Sequence, residues 1–222
     1  MKTLIPVFLK LCLVLVSGLV LFPACEQGQG NQVMLSSEDL SEIGVLRLDA
    51  AADLEIIQAP KVRIELFDQN GHEEEIVWNH RGDELLIYST EKVSFGFRKT
   101  PQIKLYTPVL PQRIDLEGSG EITSSNTWQS ESLSVSLGGS GNVELKGSAK
   151  EVSADLNGSG KIELKDFKAE VADADLSGSG LIEMQANKHL KAILSGSGVI
   201  RYKGNPELEK EESGSGTISQ MD

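Results

Sequence analysis

The sequence predicts an all-β fold, a parallel β-helix in which each coil contains about 18–21 residues. Three observations predict it. The tripeptide Gly-Ser-Gly occurs six times between residues 118 and 216, at spacings of 18 to 21 residues, and apolar residues alternate with polar ones on both sides of each copy. Repeats of about 20 residues are typical of solenoids, and alternation with period 2 indicates strands with one buried face. One such unit cannot bury its own apolar face, but stacked units can.

Each Gly-Ser-Gly is predicted to be a corner between two strands. Glycine adopts positive φ without steric cost, and its lack of a side chain lets stacked corners approach closely. The serine hydroxyls would then form a ladder along the stack, since each can donate and accept a hydrogen bond. A phosphate-binding glycine loop is the alternative, but it needs a following helix and usually a lysine, whereas strands follow here. The predicted structural corners are Gly118, Ser119, Gly120, Gly139, Ser140, Gly141, Gly158, Ser159, Gly160, Gly178, Ser179, Gly180, Gly196, Ser197, Gly198, Gly214, Ser215 and Gly216.

Apolar residues recur at fixed offsets from these corners and are expected to point into a shared interior. Four residues after each first glycine stand Ile122, Val143, Ile162, Ile182, Ile200 and Ile218. Two residues before it stand Leu116, Leu137, Leu156, Leu176 and Leu194. The last copy differs, with Glu212 in the leucine position and Lys210 in place of an inward Ala or Val. Because terminal repeats of solenoids need a polar outer face, residues 205–222 are predicted to be a C-terminal cap.

The regular repeat occupies residues 118–204, and residues 43–117 carry strand patterns without a glycine corner. We expect residues 43–117 to form the first, less regular coils of the same stack. Pro108 and Pro111 mark the passage into the regular part.

The N-terminus has the pattern of an export signal that ends at a cysteine. Lys2 and Lys10 precede a short apolar run, which stops at Ala24-Cys25. This resembles the lipobox of bacterial lipoproteins, in which the cysteine is lipidated and becomes the mature N-terminus. Residues 1–24 are therefore predicted to be a lipoprotein signal peptide, Cys25 the lipidation site and residues 25–42 a flexible tether. The alternative is an ordinary cleaved signal with Cys25 free.

Composition excludes some partners. The 222 residues are 39% hydrophobic, which is enough for a core, and the formal net charge is -12. Nucleic-acid binding needs clustered Lys and Arg, and docking on anionic lipid needs a basic face. We expect neither, and we expect no cofactor.

The segment Thr107 to Leu110, followed by Leu116 to Ile122 and its repeats, resembles the head GIN domain family of auto-transporter adhesin-like proteins. The resemblance covers about residues 43–219. It implies a right-handed β-helix and a place in the bacterial cell envelope, where the family is frequent in Bacteroidota. It implies no catalytic or ligand-binding residues.

Among the side chains that could carry chemistry, the strongest candidate is an outward acidic stripe of Glu144, Glu163 and Glu183. Oxygen ligands suit Ca²⁺, but no calcium-loop motif is present, and a solvated face is the ordinary interpretation. Asp155 and Asp175 form a second, shorter stripe. Six equivalent serines argue for a scaffold rather than a catalytic serine.

Other isolated features have ordinary structural interpretations. The tripeptide Arg81-Gly82-Asp83 is interpreted as a turn, although its sequence is also that of a receptor-binding motif. Four aromatic side chains within residues 43–117 are interpreted as part of the core or of a cap rather than as a platform for sugar binding. A binding loop would nevertheless belong in this less regular half. These aromatic residues are Trp78, Tyr88, Phe95 and Phe97. The histidines His72, His80 and His189 form no close pair in the sequence.

The function that the sequence favours is a non-catalytic envelope lipoprotein that acts in adhesion or surface interaction, with a protein or glycan partner. The expected location is the outer membrane rather than the inner one. A periplasmic structural or stress-related protein-binding module is the alternative. A polysaccharide-active enzyme is a third possibility, because β-helices also host lyases, but the regular coils lack an irregular cluster of His, Arg, Lys and carboxylate groups.

Overall fold

The computed structural model describes residues 42–67, 76–90 and 100–221 with their side chains and residues 32–35 as backbone. These residues form 16 strands of one sheet. The strands are β1 (Gln32–Leu35), β2 (Val45–Asp49), β3 (Asp53–Gln58), β4 (Arg63–Phe67), β5 (Ile76–Arg81), β6 (Glu84–Ser89), β7 (Gln102–Thr107), β8 (Arg113–Gly118), β9 (Glu121–Gln129), β10 (Ser132–Gly139), β11 (Asn142–Gly158), β12 (Lys161–Gly178), β13 (Leu181–Gly196), β14 (Val199–Lys203), β15 (Glu207–Gly214) and β16 (Thr217–Gln220). No helix in these described segments is long and apolar enough to cross a membrane.

The sheet winds into the β-solenoid that the repeat predicts, which confirms the all-β fold class. The strand segments before the corners stack in parallel from β8 through β10, β11, β12 and β13 to β15, and we call this the front side. The segments after the corners stack from β9 through β11, β12, β13 and β14 to β16, and we call this the back side. Strands β11, β12 and β13 each run from one corner to the next and therefore form whole coils.

Equivalent side chains of successive coils stand in files, as the repeat predicts. On the back side, Val143 pairs with both Ile122 and Ile162 in parallel register. All three side chains are fully buried. On the front side, Leu116 pairs with Leu137 and also with Leu48, so the leucine file continues into the N-terminal half. The core is therefore one column of stacked aliphatic layers.

Residues 43–117 join the same stack, but their coils do not follow the order of the chain. Strand β2 lies between β6 and β8, and β3 lies between β7 and β9. The turn formed by β2 and β3 is thus enclosed between strands that come later in the sequence.

Antiparallel strands complete the N-terminal end, which the parallel repeat did not predict. Strand β4 pairs antiparallel with β7, β1 with β4, and β5 with β6. The reversal between β5 and β6 is a tight turn at Gly82, whose φ of 64° suits glycine. Apolar residues of these strands remain buried, including Ile64, Leu66 and Ile76, so they extend the core.

The last coil, β15 and β16, ends the core with charged side chains. Glu212 pairs with Leu194 and Lys210 with Ala192, so both occupy inward files. The Glu212 carboxylate accepts a hydrogen bond from the Ile218 backbone N–H at 3.1 Å and lies 3.4 Å from the Lys210 ammonium. Because no further coil follows on this side within the described residues, both side chains reach solvent.

Candidate interaction surfaces

The first glycine of every Gly-Ser-Gly corner has a positive φ, between 106° at Gly118 and 139° at Gly158. From Gly139 onward, the backbone of this glycine also touches the preceding corner. A Cβ on Gly139 would lie 2.5 Å from the Gly118 carbonyl oxygen, which no real side chain tolerates. Glycine is required here for its conformation and for the close approach.

The third glycine of each corner is needed for space alone. A Cβ on Gly160 would lie 2.6 Å from the Gly141 carbonyl oxygen and 2.7 Å from the Leu137 side chain. The two glycines of a corner thus serve different physical purposes.

The corner serines are joined through their backbones more than through their hydroxyls. The Ser159 N–H donates to the Gly139 carbonyl at 2.9 Å, and the other corners from Ser140 to Ser215 repeat this bond. Among the described residues, one pair of corner hydroxyls lies within bonding distance, Ser197 and Ser215 at 3.0 Å. All six serine side chains are exposed.

The acidic stripe of the back side stacks in register, with Glu163 paired to Glu144 and to Glu183. Its carboxylates are bound by cations. The Lys165 ammonium lies 2.9 Å from Glu163 and 3.1 Å from Glu183. The remaining contacts are Lys161 to Glu163 at 2.9 Å, Arg201 to Glu183 at 3.4 Å and Lys146 to Glu144 at 3.3 Å.

These contacts change the proton affinities of the groups. Burial opposes ionisation of Glu163, but hydrogen bonds from Lys161 and Lys165 outweigh it and lower the pKa of this carboxyl below 4.5. Hydrogen bonds to Glu163 and Glu183 raise the pKa of the Lys165 ammonium. Within the described part of the chain, no group of three or more His, Cys, Asp or Glu side chains is placed to hold a metal ion. The stripe is thus an ion-pair network.

On the front side, Asp155 and Asp175 are register partners on adjacent strands. Partial burial, followed by the charge of Asp155, raises the pKa of Asp175 above 3.8. Both line a shallow groove of about 470 Å³ that also includes Arg113, Ser136 and Lys191. Asp173 lines the groove as well, so the carboxylates of the groove outnumber its two cations.

A second groove of about 470 Å³ lies at the bend between the back and front sides. Gln129 and Lys168 are both register partners of Ser148, so the three residues form one row across successive coils. Asn187 also lines this groove. Two ion pairs lie along its margin, Glu131 with Lys150 at 2.5 Å and Glu170 with Lys188 at 2.6 Å.

Sequence reasoning missed one buried charge cluster. Asp115 is 6% exposed, and its carboxylate lies 2.9 Å from Arg113 and 3.7 Å from Arg47. The signal was the alternation Arg113-Ile114-Asp115 in β8, which places both charged residues on the outer face.

The isolated features behave as structural elements where the structure describes them. Gly82 and Asp83 form the turn between β5 and β6, directly after Arg81 at the end of β5, so the tripeptide lies at a turn as interpreted from the sequence. Trp78 is partly buried and packs against the core. Tyr88 and His189 are partly exposed, and the His80 Nε2 atom is buried without a hydrogen-bond partner. Cys25, His72, Phe95 and Phe97 lie outside the described residues.

A family model described as "putative auto-transporter adhesin, head GIN domain" matches residues 45–206, which include most coils of the stack. The chain belongs to this family. The match confirms the family resemblance that was inferred from the Gly-Ser-Gly repeats. It also agrees with a cell-envelope or surface protein.

Solved structures share the fold. A putative adhesin from Bacteroides fragilis is 19% identical with a TM-score of 0.69, over 86% of this chain and 97% of that chain. A putative lipid binding protein from Parabacteroides distasonis is 24% identical with a TM-score of 0.54, over 88% and 98%. A putative adhesin from the same species is 18% identical with a TM-score of 0.59, over 86% and 96%. No curated protein matches the chain.

Proposed function

We propose that this protein is a non-catalytic, lipid-anchored module of the bacterial cell envelope that acts in adhesion or surface interaction. The observation that carries the proposal is the stack itself. Its aliphatic files point inward and its polar residues form repeated rows on every outer side. A rigid rod with periodic polar sides suits contact with an extended partner.

The chemistry of the outer sides supports a binding role over catalysis. Six corner serines share one setting, so none is singled out as a nucleophile. The glutamates of the back side are neutralised by lysine and arginine, which suits a stable surface. Asp155 and Asp175 are neighbouring carboxylates without an ion-pair partner among the described residues, and both are exposed.

The lipid anchor would be formed at Cys25, after the apolar run of residues 11–24. Anchoring by more than one acyl chain is stable, whereas a single chain gives marginal binding. Because Gln32–Leu35 form strand β1 of the sheet, only the seven residues from 25 to 31 would then hold the solenoid away from the bilayer.

The anchor is tested by expressing Cys25→Ser in a bacterial host and separating membranes from soluble envelope contents. We expect the variant to lose incorporation of a labelled fatty acid and to leave the membrane fraction. The matched control is Cys12→Ser, which changes the other cysteine of the chain and should remain membrane-bound. A Cys25→Ser protein that still carries labelled lipid would contradict the proposal.

The adhesive role is tested on intact cells that express the full chain. Added protease should cleave the solenoid without cell lysis, and cells that express it should adhere to surfaces coated with glycan or protein better than cells that lack it. Protection from protease would instead favour the periplasmic protein-binding module. Depolymerisation of a polysaccharide by the purified protein would favour an enzyme.

A further inference from the structure

We propose that the groove at the bend binds a carboxylated oligosaccharide, with Lys168 as the group that contacts its carboxylate. This inference rests on the proposed surface-interaction function and names the ligand class of that function. The groove is the one lined by Gln129, Ser148, Lys168 and Asn187.

The first argument is the charge of Lys168. The lysines around it each contact a carboxylate: Lys146 contacts Glu144, Lys150 contacts Glu131, Lys165 contacts Glu163 and Glu183, and Lys188 contacts Glu170. Lys168 has neither an ion-pair nor a hydrogen-bond partner among the described residues, and its side chain is exposed. An unpaired ammonium in a groove suits an anion. Lys191 of the front-side groove is also unpaired among the described residues, but the carboxylates of Asp155, Asp173 and Asp175 line that groove and disfavour an anion there.

The marginal ion pairs do not compete for such an anion. The hydrogen bond to Glu131 raises the pKa of Lys150, and the hydrogen bond from Lys188 lowers the pKa of Glu170. Each pair carries no net charge, so Lys168 is the cation of this groove that no described carboxylate balances. Lys168 remains as the available cation.

The second argument is the row of neutral polar groups. Gln129, Ser148 and Asn187 make no side-chain hydrogen bond to other described residues, so an amide, a hydroxyl and a second amide remain free to bind. Adjacent coils are about 4.8 Å apart, so Gln129, Ser148 and Lys168 span about 10 Å. A sugar chain presents hydroxyl groups along its length and can pair with such a row.

The third argument excludes an extended peptide as the preferred ligand. The strand segment around Ser148 is paired on both sides, to β9 and to β12, so it offers no free backbone edge for an added strand. The apolar residues lining the groove are the alanines Ala149 and Ala169, which give no pocket for a large side chain. The open shape and polar lining suit a hydrated, hydroxyl-rich chain.

The test uses the full chain purified in a mild detergent and trigalacturonate as the probe, with its methyl ester as the uncharged counterpart. Binding is measured by biolayer interferometry with the immobilised sugar. We expect the acid to bind more tightly than the ester. Lys168→Gln should weaken binding of the acid about three- to ten-fold and leave binding of the ester unchanged.

The matched control is Lys191→Gln, which makes the same change in net charge at the front-side groove and should bind both sugars as the unmodified chain does. Asn187→Ala should weaken the binding of acid and ester alike, because it removes a neutral contact. Circular dichroism melts confirm that each variant is folded.

Three results would overturn the inference: no binding of trigalacturonate, an equal loss in Lys168→Gln and Lys191→Gln, or equally tight binding of tetraglutamate. The cell-adhesion and protease experiments do not use this sugar. Adhesion without trigalacturonate binding would therefore refute the groove and leave the proposed function standing.

Discussion

Ala52 lies directly beneath Gly120, the third residue of the first Gly-Ser-Gly corner. The Ala52 carbonyl oxygen accepts the Glu121 N–H at 3.1 Å and lies 2.5 Å from where a Cβ on Gly120 would stand. The Gly120 carbonyl accepts the Asn142 N–H at 3.0 Å in the same way. The corner formed by residues 50–52, all alanines, is thus the one on which the first glycine corner stacks.

Two glycine substitutions separate conformational strain from close approach. Gly118 has a φ of 106° but open space where a Cβ would stand, whereas Gly178 has a φ of 129° and lies against the Gly158 backbone. We expect Gly118→Ala to lower the free energy of unfolding by about 1 kcal/mol. Gly178→Ala should cost about 3 kcal/mol or more, because strain and a backbone clash add.

Urea denaturation measures both effects, and Ser179→Ala is the control at the same corner. The Ser179 side chain is exposed, so this change should stay within about 0.5 kcal/mol. Equal losses in the two alanine variants would show that contact between stacked corners contributes nothing.

The back-side ion-pair network should stabilise the stack near neutral pH. Lys165 joins Glu163 and Glu183, whose side chains are 11% and 8% exposed. We expect Lys165→Met to lower the free energy of unfolding by about 1 kcal/mol. Lys188→Met, which breaks the exposed pair with Glu170, should cost less than about 0.5 kcal/mol.

The stability cost of Lys165→Met should depend on pH through the ionisation of Glu163. Its pKa in the folded protein is lowered below 4.5, so its contribution is present above pH 4.5 and is lost as the pH falls through the folded-state value. Thermal melts of both lysine variants across this range test the sign. A cost of Lys165→Met that grows on acidification would contradict it.

The front-side pair of Asp155 and Asp175 should lower the stability of the fold near neutral pH, whereas the back-side ion-pair network raises it. The raised pKa of Asp175 means that the ionised carboxyl is disfavoured in the folded state, so stability is reduced as the pH rises through the folded-state value. We expect Asp175→Asn to raise the free energy of unfolding at pH 7 by about a few tenths of a kcal/mol, because water screens exposed charges. Urea denaturation at pH 7 measures this gain.

Below pH 3.8 the gain should vanish, because the carboxyl is then protonated in the unfolded chain as well. Ser153→Ala, on the same strand face and without a charge, serves as the control. A gain that persists at pH 3 would assign the effect to hydrogen bonding rather than to charge.

Charged residues at the last coil should keep molecules apart. Replacement of Glu212 by leucine continues the file of Leu194 to the open end and removes the ion pair with Lys210. We expect Glu212→Leu to self-associate in sedimentation velocity experiments. Glu211→Leu makes the same chemical change on the outer face and should remain largely monomeric; association of both variants alike would exclude a capping role for Glu212.

The regular half could be predicted from the sequence because each coil repeats the same signals. Glycines mark the corners, and Ile or Leu at fixed offsets marks the files, so register follows from spacing alone. The replacement of apolar residues by Lys210 and Glu212 could be predicted for the same reason, because it departs from an established pattern.

The N-terminal coils could not be predicted in this way. The corner around Ala50, Ala51 and Ala52 carries no glycine, so nothing in the sequence marks it. The antiparallel strands depend on long-range pairing, which local periodicity does not encode. The front-side groove contains the row of Asp155 and Asp175 that the repeat predicts. The groove at the bend was harder to predict, because coils of different length shift the register between Glu144 and Lys146 before the row of Ser148 and Lys168.

The enclosure of the β2–β3 turn between later strands limits how such proteins can vary in length. Loss of residues 45–58 would take out an interior layer and leave β6 without its neighbour β2. Gain or loss of a 20-residue unit after Gly118 would preserve every neighbour relation, because there chain order and spatial order agree. Duplication can therefore lengthen this rod from its carboxyl half, while the amino half has a fixed number of layers.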